Sequence, residues 1–391
     1  MKKIIYTFVA MIMLVMTLLN TSKVVTARTN GATIDAFRDM TSTSYILMEA
    51  NTGKVLINFN ENEKLPVASI CKLMTSLITL EEIEKGNLTL EDKILVSQHA
   101  AMVEGSQAFL DAGCEYTVRD LLKSVIVASA NDSAIALAEG ISGSEAAFVT
   151  RMNDRAKELG MSNTNYTNAT GLTTKDQYST AYDTCLVLKA INRFEVYQEF
   201  AKIWIDTLVH PSGRETELVN TNRLIKYYPY CIDGKTGFTD EAGYCLSSVS
   251  QKDNLKLIAV TLNCKDAASR FRESMMLYDY GFANFENKVV LREEDYLENI
   301  QTNHAKTDFV NIGITKDLCY LHDKTSEENI EVVYNLPQMI CAPMKQGEVV
   351  GSISIMQGAD IVDRVDVVLL GDVEKQGFSD ILEKIANKWN F

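Results

Sequence analysis

A single lysine inside an otherwise apolar segment places the strongest constraint on what this chain can fold into. The segment VASICKLMTSLITL, residues 67–80, contains one charged residue, Lys72, three positions after Ser69. An unpaired ammonium group is costly to bury, so lysines rarely lie in such surroundings unless the fold uses or neutralises them. Serine and lysine at i and i+3 share one face of a helix. A lysine kept from water can stay neutral near pH 7 and accept the proton of the serine hydroxyl.

Ser69 is therefore a candidate nucleophile, and Lys72 is its candidate general base. Pro66 precedes them, and because proline is typical of first helical positions we expect Ser69 near a helix N-terminus. Backbone N–H groups at such a terminus stabilise a developing oxyanion. The S-x-x-K pattern alone leaves open a simpler alternative, a lysine whose head group extends from a core helix into solvent.

Two further patterns favour the chemical interpretation. Ser129-Ala130-Asn131 follows the apolar segment LLKSVIVA, and Lys235-Thr236-Gly237 lies just before a predicted hairpin. The patterns S-x-x-K, S-x-N and K-T-G each occur once in the chain, in this order. The same set of motifs is found in serine enzymes that react with penicillin.

Each residue of these motifs has a chemical role open to it. The Ser129 hydroxyl can relay a proton to a leaving amine, and the Asn131 amide can hold both Lys72 and a substrate amide. Lys235 and Thr236 can bind a substrate carboxylate. At Gly237 the missing side chain lets a substrate backbone lie along the strand.

With these motifs the sequence resembles the low-molecular-mass penicillin-binding proteins of the D-alanyl-D-alanine carboxypeptidase family, from about Thr43 to Lys375. The phrases GSQAFLDAGCEYTVRDLLKSVIVASANDSA, YSTAYD and KTGFTDEAGYCL extend the resemblance. It implies an α+β fold, in which a β-lactamase/transpeptidase-like catalytic domain, an antiparallel sheet flanked by helices, precedes a small all-β sandwich domain. It also implies an oxyanion hole formed by the backbone N–H groups of Ser69 and Phe238. Arg270 falls where such enzymes often carry an arginine near the substrate carboxylate, and a solvated helix arginine is the alternative.

The resemblance further implies a serine-type D-Ala-D-Ala carboxypeptidase, which removes the terminal D-alanine from peptidoglycan pentapeptides through a Ser69 acyl-enzyme and binds β-lactam antibiotics covalently. A D,D-endopeptidase acting on wall cross-links would use the same residues and stays open as an alternative. A class A β-lactamase needs a glutamate in an E-x-x-x-N pattern, and no glutamate between Asn131 and Lys235 has asparagine four residues later. An inactive wall-binding protein would lack at least one motif residue, and all are present.

Composition argues against several other classes of function. The formal net charge of −14 disfavours nucleic-acid binding, which needs concentrated lysine and arginine. None of the histidines flanks a motif, which disfavours a Ser-His-Asp hydrolase; they are His99, His210, His304 and His322. The eight cysteines are scattered, with no C-x-x-C and no Cys/His cluster, so we expect neither a metal nor a cofactor. Their pairing cannot be deduced from the sequence.

The N-terminus has the layout of a secretory signal peptide. Lys2 and Lys3 precede an uncharged apolar run over residues 4–19, and the small residues Val25 and Ala27 mark a cleavage site. The alternative is an uncleaved N-terminal anchor, since the run is only slightly short of the ~20 residues that span a bilayer. In either case we expect the rest of the protein outside the cytoplasm.

After residues 1–27, the chain is predicted to have three parts. Residues 28–285 are predicted to form the catalytic domain. Within it we expect one hairpin around Asn51-Thr52-Gly53 and a second between GYCLSSVS and LKLIAVTLNC, helix N-caps at Thr117 and Ser144, and a loop at NTNYTNATGLTT. Short strand-like segments predict an all-β domain over residues 286–376. Residues 377–391 are predicted to form an amphipathic helix at the outer leaflet of the cytoplasmic membrane. Its apolar stripe is Phe378, Ile381, Leu382, Ile385, Ala386 and Trp389. The alternative is a terminal helix docked on the β domain.

Overall fold

The two predicted hairpins form the framework of the fold. In the computed structural model, which describes residues 37–327 and 329–382, one hairpin turns at Asn51-Thr52-Gly53 and the other at Asp253-Asn254. The predicted signal peptide and the last nine residues of the predicted terminal helix, 383–391, lie outside the described residues. The elements below all belong to one compact unit, residues 40–391.

Residues 44–284 contain both strands and helices. The strands are β1 (Ser44–Glu49), β2 (Val55–Phe59), β3 (Lys93–Leu95), β4 (Glu115–Thr117), β5 (Ile205–Val209), β6 (Glu215–Val219), β7 (Cys231–Thr239), β8 (Gly243–Lys252) and β9 (Leu255–Cys264). The helices are α1 (Lys72–Glu84), α2 (Gln98–Ala101), α3 (Val118–Val127), α4 (Asn131–Ser142), α5 (Glu145–Glu158), α6 (Ala181–Ile191), α7 (Glu195–Ala201), α8 (Leu224–Tyr227) and α9 (Ala267–Asn284).

One five-stranded antiparallel sheet joins the two ends of this region. Its strand order is β2-β1-β9-β8-β7, so the first hairpin lies beside the last one. Strand β7, which carries the K-T-G motif, is an edge strand. β3 pairs with β4, and β5 pairs with β6, as two small separate hairpin-like sheets.

Helices cover both faces of the five-stranded sheet. On one face α9 packs closely, because Gly281 has no side chain: a Cβ there would lie 2.5 Å from Leu257 Cδ1 and 3.0 Å from Leu47 Cδ2. The alternate strand residues, such as Ile46 and Ile258, join the larger helical core on the other face. The alternation follows from the two-residue period of a strand.

The apolar segment around Lys72 is buried as its composition predicts. Residues Lys72 to Glu81 of α1 are buried without exception, so the helix crosses the core rather than lying on it. Ala68–Cys71 form a 3₁₀ turn, and α1 starts only at Lys72. Ser69 therefore lies in the turn before the α-helix rather than in its first turn, although the spacing of three residues still aligns it with Lys72.

Two predicted helix caps are confirmed. The Thr117 hydroxyl accepts a hydrogen bond from the Asp120 N–H at the start of α3. The Ser144 hydroxyl accepts one from the Ala147 N–H at the start of α5. Such caps satisfy backbone donors that a helix leaves unpaired.

The region after α9 contains strands only, until the helical residues 378–382 at the end of the described chain. A six-stranded sheet, β14-β16-β17-β12-β11-β15, and the pair β10-β13 enclose a second core. Within the larger sheet β15 runs parallel to β11. The strands are β10 (Phe285–Leu291), β11 (Glu298–Asn303), β12 (Phe309–Ile314), β13 (Leu318–Asp323), β14 (Glu331–Asn335), β15 (Met339–Cys341), β16 (Val349–Gln357) and β17 (Asp360–Leu369).

Two chain-wide features complete the description. All eight cysteines are free thiols. Among residues 37–327 and 329–382, no helix has the length and apolar character needed to cross a membrane.

Candidate active site

The predicted serine–lysine pair is in hydrogen-bond contact. Lys72 Nζ lies 2.9 Å from Ser69 Oγ and donates to the Thr170 carbonyl oxygen at 2.6 Å. The Lys72 side chain is 0% exposed, which removes the alternative of a lysine that reaches solvent. Ala68, directly before the serine, has φ +49°, so the turn that presents Ser69 is strained.

Burial changes the charge preference of this lysine. It lowers the Lys72 pKa from 10.5 to about 7, because an ammonium group without water is poorly solvated. The thiol of Cys71 and the carboxylate of Asp132 oppose that shift and raise the pKa. Lys72 is therefore close to half neutral at neutral pH and can accept a proton from Ser69.

A hydrogen bond joins the second motif to the third. Lys235 Nζ donates to Ser129 Oγ at 2.7 Å, and Lys235 is buried. Ser129 has φ +62°, in the short link between α3 and α4. Burial, and then the nearby charges of Lys72 and Arg270, hold the Lys235 pKa well below its usual range. The hydrogen bond between Lys235 and Ser129 joins residues that are 106 positions apart in the sequence.

Asn131 is in the site but does not make the predicted bond to Lys72. Its Nδ2 donates to the Glu104 carbonyl oxygen at 2.6 Å, and its Oδ1 is buried without a hydrogen-bond partner among the described residues. A bond donated by Lys72 would need Oδ1 as its acceptor, and the bond to Glu104 fixes the amide in an orientation in which Oδ1 accepts from no described group. The unpaired Oδ1 is an acceptor that a substrate amide N–H can satisfy.

Strand β7 passes unusually close to the nucleophile. A Cβ at Gly237 would lie 2.5 Å from the Val67 carbonyl oxygen and 3.3 Å from the Ser69 amide nitrogen. Only glycine permits this approach. It brings the backbone of β7 beside the Ser69 N–H, as the predicted oxyanion hole of Ser69 and Phe238 requires. Thr236 Oγ1 donates to Thr221 Oγ1 at 2.7 Å.

The aromatic and cationic residues next to this strand form one stack. Phe238, which is 48% exposed, stacks on Tyr244 with ring centroids 4.4 Å apart. The Arg270 guanidinium carbon lies 5.5 Å from the centre of the Tyr244 ring, and Nη1 donates to the Gly237 carbonyl oxygen at 3.1 Å. Arg270 is thus a half-buried part of the site wall rather than a solvated helix residue. Its predicted contact with a substrate carboxylate stays a prediction.

Two residues before Lys235 lies a buried acid. Asp233 Oδ2 accepts a hydrogen bond from Asn192 Nδ2, and Asp233 Oδ1 has no partner in the described structure. Burial raises the Asp233 pKa to about 8, against the opposing charge of Lys256.

The loop that closes the site behind the nucleophile shows no sign of this role in the sequence. Thr170 supplies the carbonyl that holds Lys72, and Gly171, with φ +85°, lies against the serine turn. The side chain of Asn168 organises the loop, because its Oδ1 accepts from the N–H groups of Thr170 and Gly171 at 3.1 and 2.7 Å. The composition NTNYTNATGLTT predicted a loop, and only its contacts reveal its role.

Family models match both parts of the chain. Residues 28–266 match the model of the D-alanyl-D-alanine carboxypeptidase family, and residues 285–375 match that of the penicillin-binding protein 5 C-terminal domain. No group of three or more His, Cys, Asp or Glu residues that could hold a metal ion is found within the described ranges.

Individual proteins are similar over almost the whole chain. D-alanyl-D-alanine carboxypeptidase DacF of Bacillus subtilis is 35% identical over 347 residues, which is 88% of this chain and 89% of that protein. D-alanyl-D-alanine carboxypeptidase DacC of Escherichia coli is 32% identical, over 86% and 85% of the two chains. The crystal structure of penicillin-binding protein 5 from Haemophilus influenzae superimposes with a TM-score of 0.68 at 28% identity, covering 86% of this chain and 98% of that one.

Gly171 provides a direct test of the loop behind the nucleophile. In Gly171→Ala the new Cβ would lie 2.0 Å from the Ala68 carbonyl oxygen, so the serine turn must move. Because a displacement of about 1 Å at a reacting group can cost roughly 100-fold in rate, we expect labelling of Ser69 by a fluorescent penicillin to slow by about that factor.

The matched control is Gly160→Ala. Gly160 has a similar φ of +78°, but no atom lies within 4 Å of its added Cβ. The control should lower the free energy of unfolding by about 1 kcal/mol through backbone strain alone and leave the labelling rate unchanged. Equal labelling rates for the two variants would show that the contact with Ala68 does not matter.

Proposed function

Because this chain belongs to the D-alanyl-D-alanine carboxypeptidase family of serine peptidases, we propose that it releases the terminal D-alanine of peptidoglycan pentapeptides through an acyl-enzyme on Ser69. The carboxypeptidase activity itself follows from membership of the family. One observation carries the assignment of the nucleophile: the buried Lys72 amine lies 2.9 Å from Ser69 Oγ.

In the first step Ser69 Oγ attacks the carbonyl carbon between the two D-alanines, and the neutral Lys72 Nζ takes the hydroxyl proton. A neutral amine has one lone pair and two N–H bonds. One N–H donates to the Thr170 carbonyl oxygen, which leaves the lone pair free to face Ser69. The tetrahedral oxyanion accepts hydrogen bonds from the N–H groups of Ser69 and Phe238.

Collapse of this intermediate breaks the peptide bond, and the departing D-alanine amine needs a proton. Ser129 supplies it from its hydroxyl and takes up in turn the proton that Lys72 accepted from Ser69, so that Lys72 is neutral again. The Lys235 bond of 2.7 Å supports this role, because it holds the Ser129 oxygen in one orientation. Water then attacks the carbonyl carbon of the acyl-enzyme and gives a proton to the neutral Lys72. The ester bond to Ser69 Oγ breaks, Ser69 regains that proton, and the shortened peptide leaves with a new terminal carboxyl group.

The free edge of β7 supports a binding mode for the peptide. An extended peptide can add to an edge strand such as β7 by backbone hydrogen bonds. The unpaired Asn131 Oδ1 accepts from a substrate amide N–H on the opposite side. Lys235, Thr236 and Arg270 provide the positive and hydroxyl groups for the terminal carboxylate.

We also propose that the protein is exported and attached to the outer face of the cytoplasmic membrane. The signal-like residues 1–27 support export. At the other end, Phe378 is 77% exposed and Leu382 is 51% exposed in the first helical turn of the predicted amphipathic segment. These side chains have no core to join in the described structure, as expected for a stripe that meets lipid.

The acyl-enzyme is testable by mass spectrometry. Purified protein treated with penicillin should gain one covalent adduct, and the protein should release D-alanine from a pentapeptide that ends in D-Ala-D-Ala. Ser69→Ala removes the nucleophile and should abolish both results. An adduct that persists in Ser69→Ala would refute the assignment of the nucleophile.

The role of Lys72 predicts the pH dependence of acylation. Below a pH of about 7 the lysine is protonated and cannot accept a proton, so the acylation rate should fall about tenfold per pH unit on the acid side. Lys72→Arg should be nearly inactive at every pH from 5 to 9, since a guanidinium does not deprotonate in that range. Stopped-flow acylation with a chromogenic β-lactam measures the acylation rate of each protein as a function of pH. If Lys72→Arg is active and its rate still falls on the acid side of the profile, the acid limb, Lys72 is not the general base.

Attachment to the membrane is tested by removing the tail. Deletion of residues 377–391 should move the mature protein from the membrane pellet to the soluble fraction, because it removes the apolar stripe. The release of D-alanine should be unchanged. If the truncated enzyme still pellets although its signal peptide has been cleaved, the tail is not the anchor.

A further inference from the structure

A buried carboxylate next to the S-x-N motif has no role in the mechanism above. Asp132 follows Asn131 at the start of α4 and is 0% exposed. Its Oδ1 accepts from the N–H groups of Ala108 and Ser133 at 3.0 and 2.8 Å, and its Oδ2 accepts from the Leu110 N–H at 3.0 Å. Three donors and no acceptor around it suit an ionised carboxylate.

Two of these donors belong to one loop, residues 103–111, which we call the rim loop. The rim loop also holds Asn131: the Asn131 N–H donates to the Ser106 carbonyl oxygen at 2.7 Å, and Nδ2 donates to the Glu104 carbonyl oxygen at 2.6 Å. Gly105, between Glu104 and Ser106, leaves space for the Asn131 side chain, since a Cβ at this position would lie 2.8 Å from Asn131 Nδ2. Asp132 thus holds the loop that fixes the orientation of its sequence neighbour.

Asp132 also acts on the general base by charge. The charged or ionisable groups that act on Lys72 or respond to it are Cys71 in the turn before α1, Asp132 on α4 and Lys235 on β7. Cys71 and Asp132 favour the ammonium form of Lys72, and that ammonium in turn lowers the pKa of Lys235. A full negative charge without solvent screening is felt over longer distances than one at the surface.

We propose that Asp132 is a positioning residue of this site, which anchors the rim loop that holds Asn131 and contributes a negative charge to the surroundings of Lys72. The inference rests on the proposed function, since it concerns the residues that carry out acylation there. Asp132 touches neither the nucleophile nor the space for substrate, so its effect is transmitted by Asn131 and by electrostatics.

Asp132→Asn separates this role from a merely structural one. The amide keeps the size of the side chain but presents an N–H₂ group to one of the backbone donors and removes the charge. The acid limb of the acylation profile should move to lower pH by about half a unit to one unit, because Lys72 loses a stabilising anion. The plateau rate should fall by roughly tenfold, because Asn131 is less well held.

Asp183→Asn is the matched control. Asp183 is also a buried acid in the first turn of a helix, α6, and also accepts hydrogen bonds from a loop, from the Asn163 N–H and Thr164 Oγ1, each at 2.8 Å. The cation that faces it is Lys64, not Lys72. We expect lower stability in this variant but an acid limb at the wild-type pH.

Asp132→Glu separates the effect of the charge on Lys72 from the effect of anchoring the rim loop. It retains the charge but cannot reach the same three N–H groups, so the acid limb should stay near its wild-type position while the plateau rate falls. In wild-type enzyme, hydrogen exchange should be slow for the amides of Ala108 and Leu110 and faster for the intervening Phe109 amide, which has no acceptor among the described residues. This measurement decides the anchoring role even if Asp132→Asn does not fold.

An acid limb that is unchanged in a folded Asp132→Asn, or that moves equally in Asp183→Asn, overturns the electrostatic part of the inference. Equally fast exchange at Ala108, Phe109 and Leu110 overturns the anchoring part. If the wild-type protein neither releases D-alanine nor reacts with penicillin, the proposed function itself has failed, and the two failures are thereby distinguished.

Discussion

The site depends on keeping one amine away from water and within reach of one hydroxyl. Two backbone segments enclose the turn that carries Ser69, the loop at Gly171 on one side and β7 at Gly237 on the other. Each approaches so closely that a single methyl group could not be accommodated. This enclosure removes water from Lys72, and the loss of water rather than any one partner is what lowers its pKa.

The enclosure also explains why the motifs come from distant parts of the chain. Lys72 begins the central helix α1, Ser129 lies in the link before α4, and Lys235 lies on the edge strand. The five-stranded sheet brings these elements together by placing the first hairpin beside the last strands. The hydrogen bond between Lys235 and Ser129 then joins the helical half of the domain to the sheet. A loss of sheet order would therefore reach the active site directly.

Much of this arrangement could be predicted from the sequence because its signals are local. The serine–lysine spacing, the two hairpins and the caps Thr117 and Ser144 each depend on a few neighbouring residues, and the structure confirms them. The role of Thr170 could not be predicted, since no local pattern shows which of many carbonyl groups will meet an amine 98 positions away. Asp132 looks like an ordinary acid in a helical first turn. The orientation of the Asn131 amide could not be predicted either, because the Glu104 carbonyl that fixes it is 27 residues away in the sequence.

Asp233, buried two residues before Lys235, has a consequence for how stability varies with acidity. Its folded-state pKa of about 8 exceeds the ordinary 3.8, so its contribution to the free energy of unfolding falls as the pH rises from about 4 to about 8. Lys72 behaves oppositely, because its pKa of about 7 lies below the usual 10.5. Its contribution to the free energy of unfolding therefore rises as the pH rises from about 7 to 10.5. The two contributions add to a minimum between about pH 7 and pH 8. Asp233 and Lys72 together therefore contribute least to the free energy of unfolding in the pH interval where the nucleophile becomes reactive.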